Sequence, residues 1–235
     1  MPVANPKISI IIPCYNLGRY LEECVDSVFF GDMINALEVI IVDDCSTDNS
    51  FEIAQKLSQK YKDIILIKND KNLKLPATRN VGIKNSHGSY IICLDADDKI
   101  PSNYIRKNYQ NIKCNDIDVS YNNSQCFGTE QTLFNWPEFS IELLRHDNFI
   151  HCSAMHKKAM WEKLDGYDEN MIYGVEDYEF WIRAARAGYL FKKCNDTFLW
   201  YRKKAEGGML DSTGTIYKDK VLEYLRKKHE GWFLG

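Results

Sequence analysis

Apolar and polar positions in the first hundred residues alternate between two periods. Residues 7–12 form a β-branched apolar run that Pro13 is expected to end, and it reads as a strand. From Leu17, apolar residues fall at 17, 20, 21, 24, 25, 28 and 29, the stripe of an amphipathic helix. A second apolar run, 37–42, leads into Asp43-Asp44-Cys45-Ser46-Thr47-Asp48, a cluster able to turn the chain and, through Ser46 or Thr47, to cap a helix. That helix carries Phe51, Ala54, Leu57 and Tyr61 on one face, and residues 64–67 are a third strand. Pro76 opens a helix ending near Gly88, and residues 90–94 are a fourth strand running into Asp95-Ala96-Asp97-Asp98. Strands apolar on both faces and separated by helices predict an α/β fold, a mostly parallel central sheet flanked by helices. Right-handed crossovers place the loop after each strand at one edge, so residues 13–16, 43–48 and 95–98 should line a single crevice.

The second half is less regular. A helix is expected from Pro101 to about Ile112, a strand at 117–121, and turns with a short helix near 139–145 within residues 122–150. A strand at 152–156 and a helix at 158–164 precede the turn Asp165-Gly166-Tyr167-Asp168. A helix at 176–187 is closed by Gly188, two short strands follow at 189–194 and 197–202, and an amphipathic helix ends the chain at about 216–230. With no linker, repeat or low-complexity tract, one domain over residues 1–235 is expected.

Composition narrows the function classes. Thirty basic against 33 acidic side chains give a net charge of −3, which argues against a nucleic-acid-binding surface. No apolar run approaches the ~20 residues of a membrane span and the first residues do not read as a signal peptide, so a cytoplasmic protein is expected. The eight cysteines are never closer than 10 positions and form no C-x-x-C pair, so all read as small buried hydrophobes in a reducing compartment.

The sharpest chemical signal is Asp95-Ala96-Asp97-Asp98. Three carboxylates within four residues repel one another unless something positive neutralises them. A hard divalent cation does so and keeps positions open for water or phosphate; the alternative is an acidic N-cap leading into Pro101. Asp43 and Asp44 suit either helix capping or accepting hydrogen bonds from a nucleobase or ribose. Pro13-Cys14-Tyr15-Asn16 lacks the glycines of a dinucleotide or phosphate loop, and Tyr15 suits either a base face or packing. Arg79 stands in the first turns of its helix, where pointing to the crevice would bring it to a phosphate; a plain surface arginine is the other reading. Glu176 and Asp177 open a helix that Phe180 and Trp181 plant in the core, which holds the acidic pair rigidly, as general-base work requires; ordinary first-turn capping competes. His151 and His156 are expected on one strand, facing opposite ways, as structural or polar-lining groups.

In order, these stretches resemble the GT-A fold glycosyltransferases of family 2, inverting enzymes that use nucleotide-diphospho-sugars. The matching segments are Ile8-Ser9-Ile10-Ile11-Ile12-Pro13-Cys14-Tyr15-Asn16, Val42-Asp43-Asp44-Cys45-Ser46-Thr47-Asp48, Ala77-Thr78-Arg79-Asn80-Val81-Gly82, Leu94-Asp95-Ala96-Asp97-Asp98 and Gly174-Val175-Glu176-Asp177-Tyr178-Glu179-Phe180-Trp181. The resemblance implies a Rossmann-like donor half, residues 7–98, and an acceptor half with the catalytic base, residues 99–235. It implies that Pro13 and Tyr15 embrace the nucleoside, that Asp44, with Asp43 beside it, reads a uracil-type base, and that Arg79 lies near the nucleotide. Asp95 and Asp97 resemble the metal-binding D-x-D, with Ala96 between them, Asp97 the direct ligand of Mn²⁺ or Mg²⁺, and Asp98 close by. Asp177, with Glu176 adjacent, is similar to the catalytic base. Cys45 and Ala96 depart from the family's usual intervening residues. The stretch from Tyr201 to Met209 loosely resembles a segment that closes over the donor, its glycines permitting hinging and its Arg202, Lys203 and Lys204 meeting the diphosphate.

The implied reaction is a single displacement in which the ion steadies the leaving diphosphate and Asp177 deprotonates an acceptor hydroxyl, inverting an α-linked donor. The donor is expected to be a UDP-sugar and the acceptor a glycan, lipid-linked or not, in bacterial surface-polysaccharide or other glycan synthesis. A sugar-nucleotide nucleotidyltransferase and an inactive nucleotide-sugar-binding relative are the alternatives. Residues 216–234 mix Lys and Arg with Trp232 and Phe233, which reads either as a helix docked on the core or as a basic amphipathic helix on an anionic leaflet.

Overall fold

The β-branched runs pair with one another. In the computed structural model, which describes residues 7–205 and 215–234, β1 (Ile8–Cys14), β2 (Leu37–Asp43), β3 (Ile64–Lys68) and β4 (Tyr90–Cys93) lie parallel in the order β3-β2-β1-β4. Each is followed by a helix: α1 (Gly18–Phe29), α2 (Ser50–Lys60), α3 (Leu75–Lys84) and α4 (Tyr104–Asn115). Ile10, Ile12, Val39 and Ile41 pack on one face with Leu21, Val25, Leu57 and Ile105 of α1, α2 and α4. Ile11, Ile40 and Val42 point the other way, to Ile83 of α3 and to aromatic residues of the second half. Two covered faces explain why these strands carry almost no polar side.

Pro13 does not end β1. The carbonyl of Cys14 accepts from Asp44 N at 2.8 Å and that of Ile11 from Leu94 N at 2.8 Å, so alternate residues of β1 serve β2 and β4. Position 13 faces the β4 side after β4 has ended at Cys93, where a missing N–H costs no ladder bond.

The second half continues the same sheet to eight strands: β5 (Val119–Gly128), β6 (Leu133–Phe134), β7 (Met155–Lys157) and β8 (Phe191–Lys203). β7 runs antiparallel to both β4 and β5, so the sheet is mixed. The two short strands expected at 189–194 and 197–202 are one strand. Its pairing with β5 jumps from Tyr121 opposite Lys193 to Asn123 opposite Phe198, and the polar residues of that bulge read as a break. His156 lies on β7, but His151 lies before it, so the two do not share a strand.

Four further helices, α5 (Ile141–His146), α6 (Lys158–Lys163), α7 (Glu176–Arg186) and α8 (Thr215–Lys228), complete the described fold. Phe180 and Trp181 of α7, Met160 and Trp161 of α6 and Leu225 of α8 share one core cluster with Ile11 and Ile40. Trp232, expected at a leaflet in one reading, is buried in that cluster with Phe233 packed against it. Among the described residues no helix is long and apolar enough to cross a membrane. All eight cysteines are free thiols; Cys114, exposed at the end of α4, and Cys45, half-buried in the loop after β2, depart from the expected burial. The glycines of the expected closing segment, Gly207 and Gly208, lie outside the described residues.

Candidate functional site

The carboxyl ends of β1, β2 and β4 open on a cleft of about 790 Å³, in the range of small-ligand sites. Every expected site residue lines it except Asp43. Successive strand residues face opposite ways, and Asp43 ends β2 fully buried, its Oδ2 accepting from Ser46 N at 3.2 Å inside the turn. Asp44 does reach the cleft. It accepts from Asn69 Nδ2 at 2.9 Å, Leu73 N at 2.8 Å and Lys74 N at 3.0 Å, so it fixes the loop leading into α3.

The loops after β1 and β2 are tied to each other. Asn16 Oδ1 accepts from Thr47 N at 2.8 Å, and Asn16 N donates to Ser46 Oγ at 3.1 Å. Asp48, rather than Ser46 or Thr47, accepts from Ser50 N at 2.9 Å at the start of α2. Asn16, Cys45, Lys74 and Val175 hold left-handed φ angles of 55°, 61°, 73° and 54°. Such backbone costs roughly 1–3 kcal/mol at a non-glycine residue, and all four stand in loops bordering the cleft.

Asp95 follows β4 and keeps 30% of its side chain exposed, with Oδ1 2.7 Å from Arg79 Nη2. Asp97 Oδ2 lies 2.6 Å from Lys204 Nζ. Asp98 is different: it is buried, its Oδ1 accepts from Arg202 N at 2.8 Å, and burial with the charges of Asp97 and Asp95 beside it pushes its carboxyl well above the usual range. Through that bond it anchors β8 to the acidic turn. Arg202, expected at a diphosphate, donates Nε to the Asp97 carbonyl at 2.7 Å, pairs with Glu23, and covers Tyr20 and Phe127 at 4.5 and 4.3 Å. Lys204, from the same stretch, is the one that pairs with the Asp97 carboxylate.

Arg79 is the larger surprise. It is 1% exposed and bridges Asp95 on one side and Glu176 on the other, so it ties the β4 carboxylates to the mouth of α7 instead of standing free for a phosphate. Glu176 is buried in that pair. Asp177 stays half-buried at the cleft, its Oδ1 accepting from Asn148 Nδ2 at 3.1 Å and Tyr178 N at 2.7 Å. Burial, reinforced by Glu176 and opposed by Arg79, pushes the Asp177 carboxyl up to about 7, a value suited to proton transfer near neutrality.

Sequence reading missed Asn148, which carries no motif; His151, expected as a structural or polar-lining group, does line the cleft, with both ring nitrogens buried and unpartnered among the described residues. Burial lowers His151 to about 4, so it is neutral at physiological pH. It also missed an aromatic wall containing Phe134, Trp136 and Tyr173.

The sequence model of the family described as "Glycosyl transferase family 2" matches residues 9–182. Glycosyltransferase GlyG of Streptococcus pneumoniae is 35% identical over 243 residues, covering 94% of this chain and 79% of that protein. The solved structure of S. aureus TarS 1-349 with UDP-GlcNAc superposes with a TM-score of 0.77 at 23% identity, over 94% of this chain and 66% of that one. A mannosyltransferase of Pyrobaculum calidifontis in complex with GDP-Man and Mn²⁺ gives 0.73 at 18% identity, over 97% of this chain and 65% of that one. The chain thus spans just under two thirds of either solved chain.

Proposed function

The chain belongs to glycosyl transferase family 2 and is a glycosyltransferase with the GT-A fold, and from that premise we propose that it moves a sugar from a UDP-sugar to a glycan hydroxyl by metal-assisted single displacement. The observation that carries this reading is one cleft holding both the Asp95/Asp97 edge and a carboxyl, Asp177, poised near 7.

The donor set fits a divalent ion. Asp95 and Asp97 are oxygen donors at the cleft, and their pairing with Arg79 and with Lys204, 2.6 Å from Asp97, supports an edge suited to positive charge. Mn²⁺ or Mg²⁺ is commonly held by one or two carboxylates, with phosphate and water completing the shell. Asp97, with Asp95 beside it, would hold the ion; Asp98 is left out because its carboxyl faces Arg202 N. When bound, the ion offsets the charge that grows on the leaving diphosphate. The presence of Mn²⁺ in the complex of the superposable mannosyltransferase supports this assignment.

The chain's own groups supply the rest. A carboxylate offers about four lone-pair sites, and three on Asp44 are taken by its loop, which leaves one for a uracil N–H. Tyr15, 44% exposed, offers a face for the base. Asn148 and Tyr178 N hold Oδ1 of Asp177, so Oδ2 takes the proton of the attacking hydroxyl. On this reading residues 7–98 serve the donor and the remainder supplies the base and the acceptor side.

The test is a donor screen with Mn²⁺ that follows nucleoside diphosphate release from UDP-, GDP- and dTDP-sugars. UDP-sugars should lead, chelator should abolish release, and Asp97→Ala and Asp177→Asn should each lose roughly 10²–10⁴-fold. Activity indifferent to chelator would remove the metal, and inert donors throughout would remove the reading.

A further inference from the structure

We propose that Phe134 and Trp136 form a stacking platform for a pyranose ring of the acceptor, an inference that rests on the glycosyl transfer proposed above. The two rings stack on one another, 11° from parallel with centroids 5.2 Å apart, and both line the cleft. They come from β6 and the residues just after it, beyond β5 and β7 in the sheet order, whereas the donor-side residues follow β1, β2 and β4. They therefore belong to the acceptor half of the cleft.

The short segment that carries them is held with unusual care. Trp136 N donates to Asn123 Oδ1 at 3.0 Å, and its indole Nε1 donates to Ser124 Oγ at 3.2 Å. Lys193 is buried, and its ammonium donates to Asn135 Oδ1 at 3.1 Å and to the Trp136 carbonyl at 2.5 Å. Burying a lysine forfeits hydration, so its use as a clamp on one loop fixes that loop's shape. With the indole N–H satisfied by β5 and one face of each ring covered by the other, what the half-buried stacked pair has left to offer the cleft is an outer π face. Pyranose rings present a patch of polarised C–H groups that complements the negative face of an aromatic ring, and they match its flat area. A linear polyol chain or a bare phosphate has no such face. The platform thus assigns the acceptor to cyclic saccharides.

The experiment titrates the wild-type chain and three variants, Trp136→Ala, Trp136→Phe and Phe134→Leu, with methyl glycopyranosides (gluco, galacto and N-acetylglucosamine) and with ribitol. UDP and Mn²⁺ are present, and saturation-transfer NMR gives the affinity. In parallel, UDP release from the leading UDP-sugar is measured against glycoside concentration, and thermal unfolding checks that each variant folds. At least one glycoside should receive saturation on its ring C–H protons and ribitol should not. Trp136→Ala should weaken that glycoside and raise its KM about tenfold or more, Phe134→Leu should do so by a smaller factor, and Trp136→Phe should stay within about threefold of wild type. No glycoside binding to the wild type, ribitol binding equally well, or an unchanged KM in Trp136→Ala would overturn the platform. Should Trp136→Ala fail to fold, Phe134→Leu and Trp136→Phe decide between these outcomes. Inert donors would instead sink the transfer reaction, while the NMR titration still reads the platform by itself.

Discussion

At the scale of single residues, the site is built from charges that hold one another. Arg79 touches Asp95 and Glu176, 16 and 97 positions away, and joins two stretches that carry the chemistry. Replacing it by glutamine leaves the buried Glu176 with no countercharge and the partly exposed Asp95 without its partner, so unfolding in urea should show a loss of roughly 3 kcal/mol. A loss below about 1 kcal/mol would mean that the bridge is incidental. The acidic turn was legible in the sequence because three carboxylates in four residues repel one another and need compensation of some kind. The role of Arg79 was not, because its partners become neighbours only through the fold. Asp43 and Asp44 look equivalent in sequence, and only the alternation along β2 sends one inward and the other to the cleft.

At the scale of elements, α3 seats directly on the sheet. A Cβ on Gly82 would overlap Ile11 Cγ2 and stand 3.2 Å from Val42 Cγ2, both in the core. Gly82→Ala gains about 1 kcal/mol of helix propensity but overpacks β-branched neighbours, for a net loss of roughly 1–2 kcal/mol by denaturant titration. A stabilised variant would show that α3 sits further from β1. The first four strands and their helices were readable since each strand is an apolar run between helical stripes. The β8 bulge was not, because polar residues inside one long strand look like a loop. Helix α8 is fastened by polar groups: Lys228 reaches Asp168 and Glu179 at 2.6 and 2.9 Å, and His229 reaches Glu179 at 3.0 Å. Against the cost of burial, bonds from His229, Arg183 and Lys228 pull Glu179 from 4.5 down to about 2. A depressed carboxyl stabilises the fold above its unfolded value, and that stability drains as pH falls from about 4.5 toward 2. The thermal midpoint should therefore drop steeply across that window, and Glu179→Gln, already less stable at neutral pH, should drop less. Equal acid sensitivity in both proteins would place the weak point elsewhere.

At the scale of the whole molecule, one mixed sheet brings residues from both halves of the chain to one cleft, with Asp97 and Asp177 on its walls. The carboxyl raised to about 7 has the opposite sign to Glu179: it favours folding below its ordinary value of 3.8 and withdraws that contribution as pH rises through 7. Stability and catalysis thus pull apart near neutrality, since the deprotonated form that destabilises the fold is the form that acts as a base. The pH profile of UDP release from the leading UDP-sugar, in Mn²⁺ between about pH 5 and 9, tests this most directly. The rate should climb and level off around an apparent midpoint near 7, and Asp177→Asn should lose both the climb and most of the rate. A profile flat across that range, or a climb that survives in Asp177→Asn, would contradict the assignment of Asp177 as the base.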